Sequence, residues 1–333
     1  MKKLLVALLV VMMVVPLFAG CATSQPTQQT TTQLKVAAVY ATPIEEPWDG
    51  AIHQALLKAK SDLNIQYDFV ENVGYADFER VLRDYASKGY NVIFGDGFGS
   101  EDVVRRVAKD FPNIDFVFGM GGGAMDPNLS VFDDWIQEPA YLCGMIAGKI
   151  TKTNNIGVVC AIPDPEVNRI VNAFIEGAKS VNSKVYVQVS FIGSWFDPTK
   201  AKEMALAQIS KGADVMFGER YGVIDACKEK KVYVFGNILD QNSLAPDYVI
   251  TGPVWNMYPT VEYVIKSVQN KSFVAQDLRE WSMMAKGGAE LAPFHGFETK
   301  LPAAVMDLVT KTEQQIKSGE FRVPINEAPP VSG

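Results

Sequence analysis

The sequence predicts an α/β protein built from two parallel sheets with helices on their faces. Three observations carry that expectation. From Leu34 onward, short near-continuous apolar runs alternate with stretches whose apolar residues recur at helical spacing, the pattern of buried parallel strands joined by crossover helices. The series reaches its last strand near residue 132 and then starts again. The remaining chain, about 300 residues, is too long for one ordinary core and suggests two lobes.

The elements follow in order. LKVAAVY is a β-rich opening strand, and WDGAIHQALLKAKSDL sets Ile52, Leu56, Ala59 and Leu63 on one helical face. IQYDFV is a strand, and ADFERVLRDYASKG an amphipathic helix stopped by Gly89. NVIFGD, a helix capped by Ser100, IDFVFG and LSVFDD complete the first series. EPAYLCGMIAGKITKT opens the second as a helix. NIGVVCAI, a helix with Pro165 in its first turn, SKVYVQVSFI, TKAKEMALAQISKG, ADVMFG, GVIDACKEKK, KVYVFGN and a strand over DYVITGPV follow. MYPTVEYVIKSVQN and LPAAVMDLVTKTEQQIKSG read as two further helices, the second ending at Gly319.

The first residues read as an export segment. Lys2 and Lys3 precede an apolar run that ends in Ala19-Gly20-Cys21, with small residues ahead of the cysteine. The run is short for a hydrocarbon core of ~30 Å. Residues 1–20 are expected to be a signal peptide and Cys21 the site of lipid attachment, although Phe18 stands where such sites usually carry leucine. A plain cleaved signal and an uncleaved anchor are the alternatives. Residues 21–33 are polar, uncharged and low in complexity, the composition of a flexible tether.

Composition excludes some functions. The formal charge of −7 argues against nucleic acid, whose binding needs clustered Lys and Arg. Cys143, Cys160 and Cys227 are widely spaced, which gives neither a disulfide framework nor a zinc pattern. Cys143 and Cys160 are expected in the core and Cys227 partly exposed. His53 and His295 are the only histidines and lie far apart, so neither a metal nor a cofactor is expected. Glu45-Glu46 reads as a solvated acidic pair, with a contact between lobes or with a partner as the alternative.

Ligands in open α/β sheets sit beyond the carboxyl ends of the strands, and these ends are aromatic here. Trp48 and Asp49 follow the first strand, Gly97 and Phe98 the third, and Trp195, Phe196 and Asp197 the GSWFDP turn. Arg220 and Tyr221 follow ADVMFG, Asn237 and Asp240 follow VYVFG, and Trp255 follows the last strand. Rings facing each other across a cleft would sandwich a flat heteroaromatic ligand, each stacked base contributing ~1–3 kcal/mol. Glu138, at the start of the helix after the first series, reads either as an acid complementing the helix dipole or as a cleft acceptor.

In the order VAAVYATPIEEPWDG, DGFGSEDVVRRVAKDF, EPAYLCGMIAGKITKTNNIGVV, SWFDPTKAKEMALAQISKGADV and VFGNILDQNSLAPD, the chain resembles the basic membrane protein (BMP) family of lipoproteins. These are substrate-binding components of ABC transporters that bind purine nucleosides or bare purine bases. The resemblance implies a type I periplasmic-binding-protein fold with two Rossmann-like parallel-sheet lobes joined by crossover hinge strands. It implies a base stacked on Trp48 and on Trp195 or Phe196, with Gly97, Phe98, Glu138 and Asp240 at matching positions, a permease partner and a lipid-anchored, extracytoplasmic location. Gly119-Met120-Gly121 stands where nucleoside-binding members carry an acid that grips ribose, which favours a bare, adenine-like base.

The lobes are expected to comprise residues 34–135 with about 255–280, and residues 136–254 with about 281–320. Two other readings stay open: a purine-processing hydrolase using Asp49, Asp197 or Asp240, and a lipoprotein that senses its ligand and signals to a membrane partner. No nucleophile–base pairing or metal-ligand cluster favours the enzyme.

Overall fold

The computed structural model describes residues 33–333; the export segment and Cys21 lie outside the described residues. The first series is β1 (Lys35–Val39), α1 (Pro47–Asp62), β2 (Gln66–Val70), α2 (Tyr75–Ser87), β3 (Val92–Asp96), α3 (Glu101–Asp110), β4 (Asp115–Gly119) and β5 (Leu129–Phe132). Its strands form one parallel sheet in the order β2-β1-β3-β4-β5. The second series is α4 (Gln137–Ile150), β6 (Asn155–Cys160), α5 (Pro165–Val181), β7 (Tyr186–Phe191), α6 (Pro198–Ser210), β8 (Val215–Gly218), α7 (Val223–Lys230) and β9 (Tyr233–Phe235). It forms a second parallel sheet, β7-β6-β8-β9. This is the doubly wound, two-sheet α/β architecture that the sequence predicts.

The chain then passes between the sheets again. β10 (Pro253–Trp255) leads into α8 (Tyr258–Gln269), which docks on α1: the Tyr258 hydroxyl donates to Asp62 at 2.9 Å and the Gln269 amide to the Leu63 carbonyl at 3.2 Å. Residues 276–278 then extend the first sheet along β5, where the Leu278 N–H donates to the Val131 carbonyl at 2.8 Å. β11 (Ala289–Leu291) pairs antiparallel with β10, and α9 (Ala303–Ser318) packs on α4. The strand expected over DYVITGPV falls later, at Pro253–Trp255, and the residues before it make only a bridge from Val249 to Val234 of β9.

Core packing follows from this order. One apolar core takes Val36 and Phe94 from the first sheet together with Val158 and Phe217 from the second, and α1, α4 and α5 fill the space between them. Each sheet buries its outer face in a smaller cluster, around Phe78 and Phe118 in one and Val159 and Met216 in the other. Cys143 and Cys160 are buried as expected. Cys227 is buried too, at 0 % exposure, because the face of α7 that carries it packs with Val223 and Met216 in the outer cluster of the second sheet. Ser100 precedes α3, but its hydroxyl makes no capping bond; its carbonyl accepts from the Val103 and Val104 N–H groups instead.

The first crossover is pinned by charge. Asp133 and Asp134 follow β5, and Arg169 of α5 reaches them at 2.6 and 3.4 Å. The Arg169 guanidinium also lies 4.1 Å from the Trp135 ring centroid, and the Arg279 guanidinium lies 4.0 Å from the same ring. Arg169 and Asp134 are almost fully removed from water and Asp133 nearly so, while Glu327, 3.6 Å from the same guanidinium, is exposed.

Candidate functional site

The carboxyl ends of β1 and β3 in the first sheet face those of β6, β7 and β8 in the second across a cavity of about 280 Å³. Ligand sites commonly start at ~300 Å³, so the space suits a small molecule. Ala41 and Thr42 after β1, Glu46 and Trp48 at the start of α1, and Val73 to Tyr75 before and in α2 contribute from one side. Asp96 ends β3 and Phe98 follows it. From the second sheet come Glu166 in the first turn of α5, Ser194 to Phe196 after β7, and Arg220 after β8.

Local sequence explains how each side chain is aimed. Pro47 opens α1, with its φ preset and no N–H to satisfy, and Glu46 caps it by accepting from the Trp48 and Asp49 N–H groups at 2.9 and 3.3 Å. Of the acidic pair, Glu45 is exposed and Glu46 is a buried cap, because the orphan N–H groups of the first turn need an acceptor. Trp48 is thereby fixed on the cavity wall. Asp197 does the same for α6, accepting from the Lys200 N–H at 3.0 Å, which leaves Trp195 and Phe196 in the loop before it.

The aromatic wall is continuous. Phe98 stands edge-on to Trp48 with ring centroids 5.7 Å apart and lies 6.0 Å from Trp195 across the cleft. Trp48 is 7 % exposed; behind it are Phe132, stacked at 5.8 Å with planes 20° apart, and Trp255 at 5.2 Å. Phe196 reaches the rim, 6.3 Å from Tyr221.

The polar edge is rich in carboxyls. Burial pushes Asp96 up to about 7, against a bond its carboxylate accepts from the Phe98 N–H at 2.9 Å. Burial, then Glu219 and Asp133, raise Glu166 to about 8. Glu46 is raised by burial, with Arg220 opposing. Burial disfavours the Arg220 charge, but Glu219, Glu46 and Glu166 together raise its pKa. That guanidinium forks onto the Glu219 carboxylate, donates to the Trp195 carbonyl at 3.2 Å, and comes within 3.6 Å of Glu46 on the other side of the cleft. The arrangement can stack a flat ring and offer its edge both acceptors and donors, since acids titrating near 7 serve in either role.

Of the residues singled out from sequence, Trp48, Phe98, Trp195, Phe196 and Arg220 line this cavity. The others lie outside its wall. Asp49 is buried beneath, where its Oδ2 accepts from the Thr42 N–H at 3.0 Å and the Thr42 hydroxyl at 2.6 Å and so shapes the turn after β1. Gly97 donates to the Gly119 carbonyl at 2.8 Å. Glu138 accepts from the Met284 N–H at 2.9 Å, tying α4 to a later crossover. Asn237 is buried and donates to the Glu219 carbonyl at 3.3 Å, Trp255 backs Trp48 and donates to Ser282 at 3.2 Å, Tyr221 sits at the rim, and Asp240 pairs with His295 at 2.8 Å in the open. Asp96, Glu166 and Tyr75 line the cavity without having been singled out; the strand-end rule that found Phe98 also points to Asp96, one position from Gly97.

A family model described as ABC transporter substrate-binding protein, PnrA-like, matches residues 34–324. A purine-binding protein of Brucella abortus is 33 % identical over 296 residues, covering 87 % of this chain and 82 % of its own. A putative ABC transporter glucose-binding protein of Haloferax volcanii is 32 % identical over 273 residues, covering 80 % of this chain and 68 % of its own. Among solved structures, an ABC transporter solute-binding protein from Aeropyrum pernix superposes with a TM-score of 0.75 at 20 % identity, over 88 % of this chain and 94 % of that one, and so shares the fold. Fold, cleft and family match agree, and the chain belongs to the PnrA-like family of ABC transporter substrate-binding proteins.

Proposed function

We propose that this protein captures a bare purine base, adenine-like, in the cavity between its two sheets and hands it to an ABC permease without altering it. The observation that carries the reading is the continuous wall of Trp48, Phe98 and Trp195, with the Asp96 and Glu166 carboxyls and the Arg220 guanidinium on the same cavity. Adenine presents an amino donor beside a ring-nitrogen acceptor, and a carboxyl titrating near 7 answers either one. The modest volume supports a base over a nucleoside, and the similarity to a purine-binding protein supports the ligand class. The lobes that close on the ligand are residues 34–135 with about 255–280 and residues 136–254 with about 281–320.

Titration calorimetry of protein freed of bound small molecules is the test, with adenine, hypoxanthine, adenosine and glucose as ligands. Tight adenine binding with no heat from glucose supports the reading; glucose binding without any purine binding overturns it. The protein works outside the cytoplasm, held to the membrane by lipid on Cys21. The Cys21→Ser protein should then leave the membrane fraction, and its full retention there would refute the anchor.

A further inference from the structure

We propose that Gly119 is a specificity-determining residue: by carrying no side chain it lets the Trp48 indole lie across the end of β4, and so sets the size of ring the cavity accepts. A Cβ at position 119 would fall 2.0 Å from Cη2 and 2.6 Å from Cζ2 of Trp48, and 3.0 Å from Cε2 of Phe132. The two closest atoms belong to the outer edge of the indole, beyond the reach of a phenyl ring in the same place.

The strand end cannot yield, and the indole can yield in one direction only. Gly119 is in register with Asp96 of β3 on one side and Phe132 of β5 on the other, and its carbonyl accepts from the Gly97 N–H at 2.8 Å. The strand end is thus pinned at the very turn that carries Asp96 and Phe98. The indole is enclosed by Phe132, Trp255 and Phe98, and the side left open to it is the cavity. A side chain at 119 therefore drives Trp48 into the space the ligand would use. Packed interiors move such a strain to the softest boundary, which here is the ligand site. Position 119 and position 48 act as one unit: the large ring requires the absent side chain.

The inference rests on the purine reading for its ligand, but its logic is tested separately. Gly119→Ala, Trp48→Phe and the double variant are titrated calorimetrically with adenine and melted without ligand. With Trp48 in place, Gly119→Ala should weaken adenine binding by about tenfold or more; added to Trp48→Phe, it should weaken binding by less than about threefold. Equal weakening in both backgrounds overturns the proposal. So does a lowered melting temperature with adenine affinity unchanged, which would make Gly119 a packing residue only. Should the unaltered protein bind no purine, the purine reading fails by itself. The ligand-free melts then decide the coupling: a smaller loss from Gly119→Ala in the Trp48→Phe background supports it, and an equal loss refutes it.

Discussion

Trp195→Ala and Trp48→Ala should part company, although both rings line the same cavity. Trp195 is half-buried in a loop; its ring meets Phe98 at 6.0 Å and the Arg220 guanidinium at 5.9 Å. The bond that Arg220 makes to this residue goes to the backbone carbonyl and survives the substitution. What is lost is stacking on the ligand, ~1–3 kcal/mol, which at 1.4 kcal/mol per decade raises the dissociation constant roughly 5- to 150-fold. The fold should lose no more than about 1 kcal/mol. Trp48 is also a core residue, packed on Phe132, Trp255 and Phe98. Its truncation leaves a cavity costing ~3–5 kcal/mol, or a melting temperature roughly 6–20 °C lower at ~2–4 °C per kcal/mol, in addition to lost affinity. Calorimetric titration with adenine and scanning calorimetry read the two effects apart. The reasoning fails if Trp195→Ala binds adenine within about twofold of the parent, or if Trp48→Ala melts where the parent does.

Arg169→Met should destabilise the protein by ~3–5 kcal/mol, because it removes the buried cation that Asp133 and Asp134 share at the first crossover; urea denaturation with an unchanged midpoint would contradict this. Stability should fall as pH rises. Asp96 and Glu166 hold their protons more tightly folded than unfolded, so the native state binds more protons between the ordinary carboxylate range near 4 and their values of about 7 and about 8. Denaturation at pH 5, 6.5 and 8 reads the slope, and Asp96→Asn should flatten it. A parent curve that is level across that range would rule out the raised acids.

Much of the architecture was legible because parallel strands buried on both faces write themselves as apolar runs, and the turns between them carry Gly, Pro and capping acids. Trp48, Phe98 and Trp195 could be placed at the cleft by a rule about strand ends alone. The same rule over-reached at Asp240 and Trp255. It does not tell which ends of a sheet face the other sheet, and Asp240 instead meets His295 in the open. For Glu45-Glu46 the sequence leaves solvation and a contact between lobes both open, because a charged residue in a loop carries no local sign that it will cap a helix; the structure gives Glu46 the cap and the approach to Arg220 of the other sheet.

By itself the sequence determined the two βα series and the aromatic character of the strand ends, since these rest on short-range periodicity and local residue chemistry, while its ordered motifs carried the resemblance to the family. The tertiary structure decided which acids share the cavity and which become caps, how Arg220 bridges toward Glu46, and why Trp48 needs glycine at position 119. Those relations join residues tens to hundreds of positions apart, and they exist only once two sheets have set their strand ends against each other.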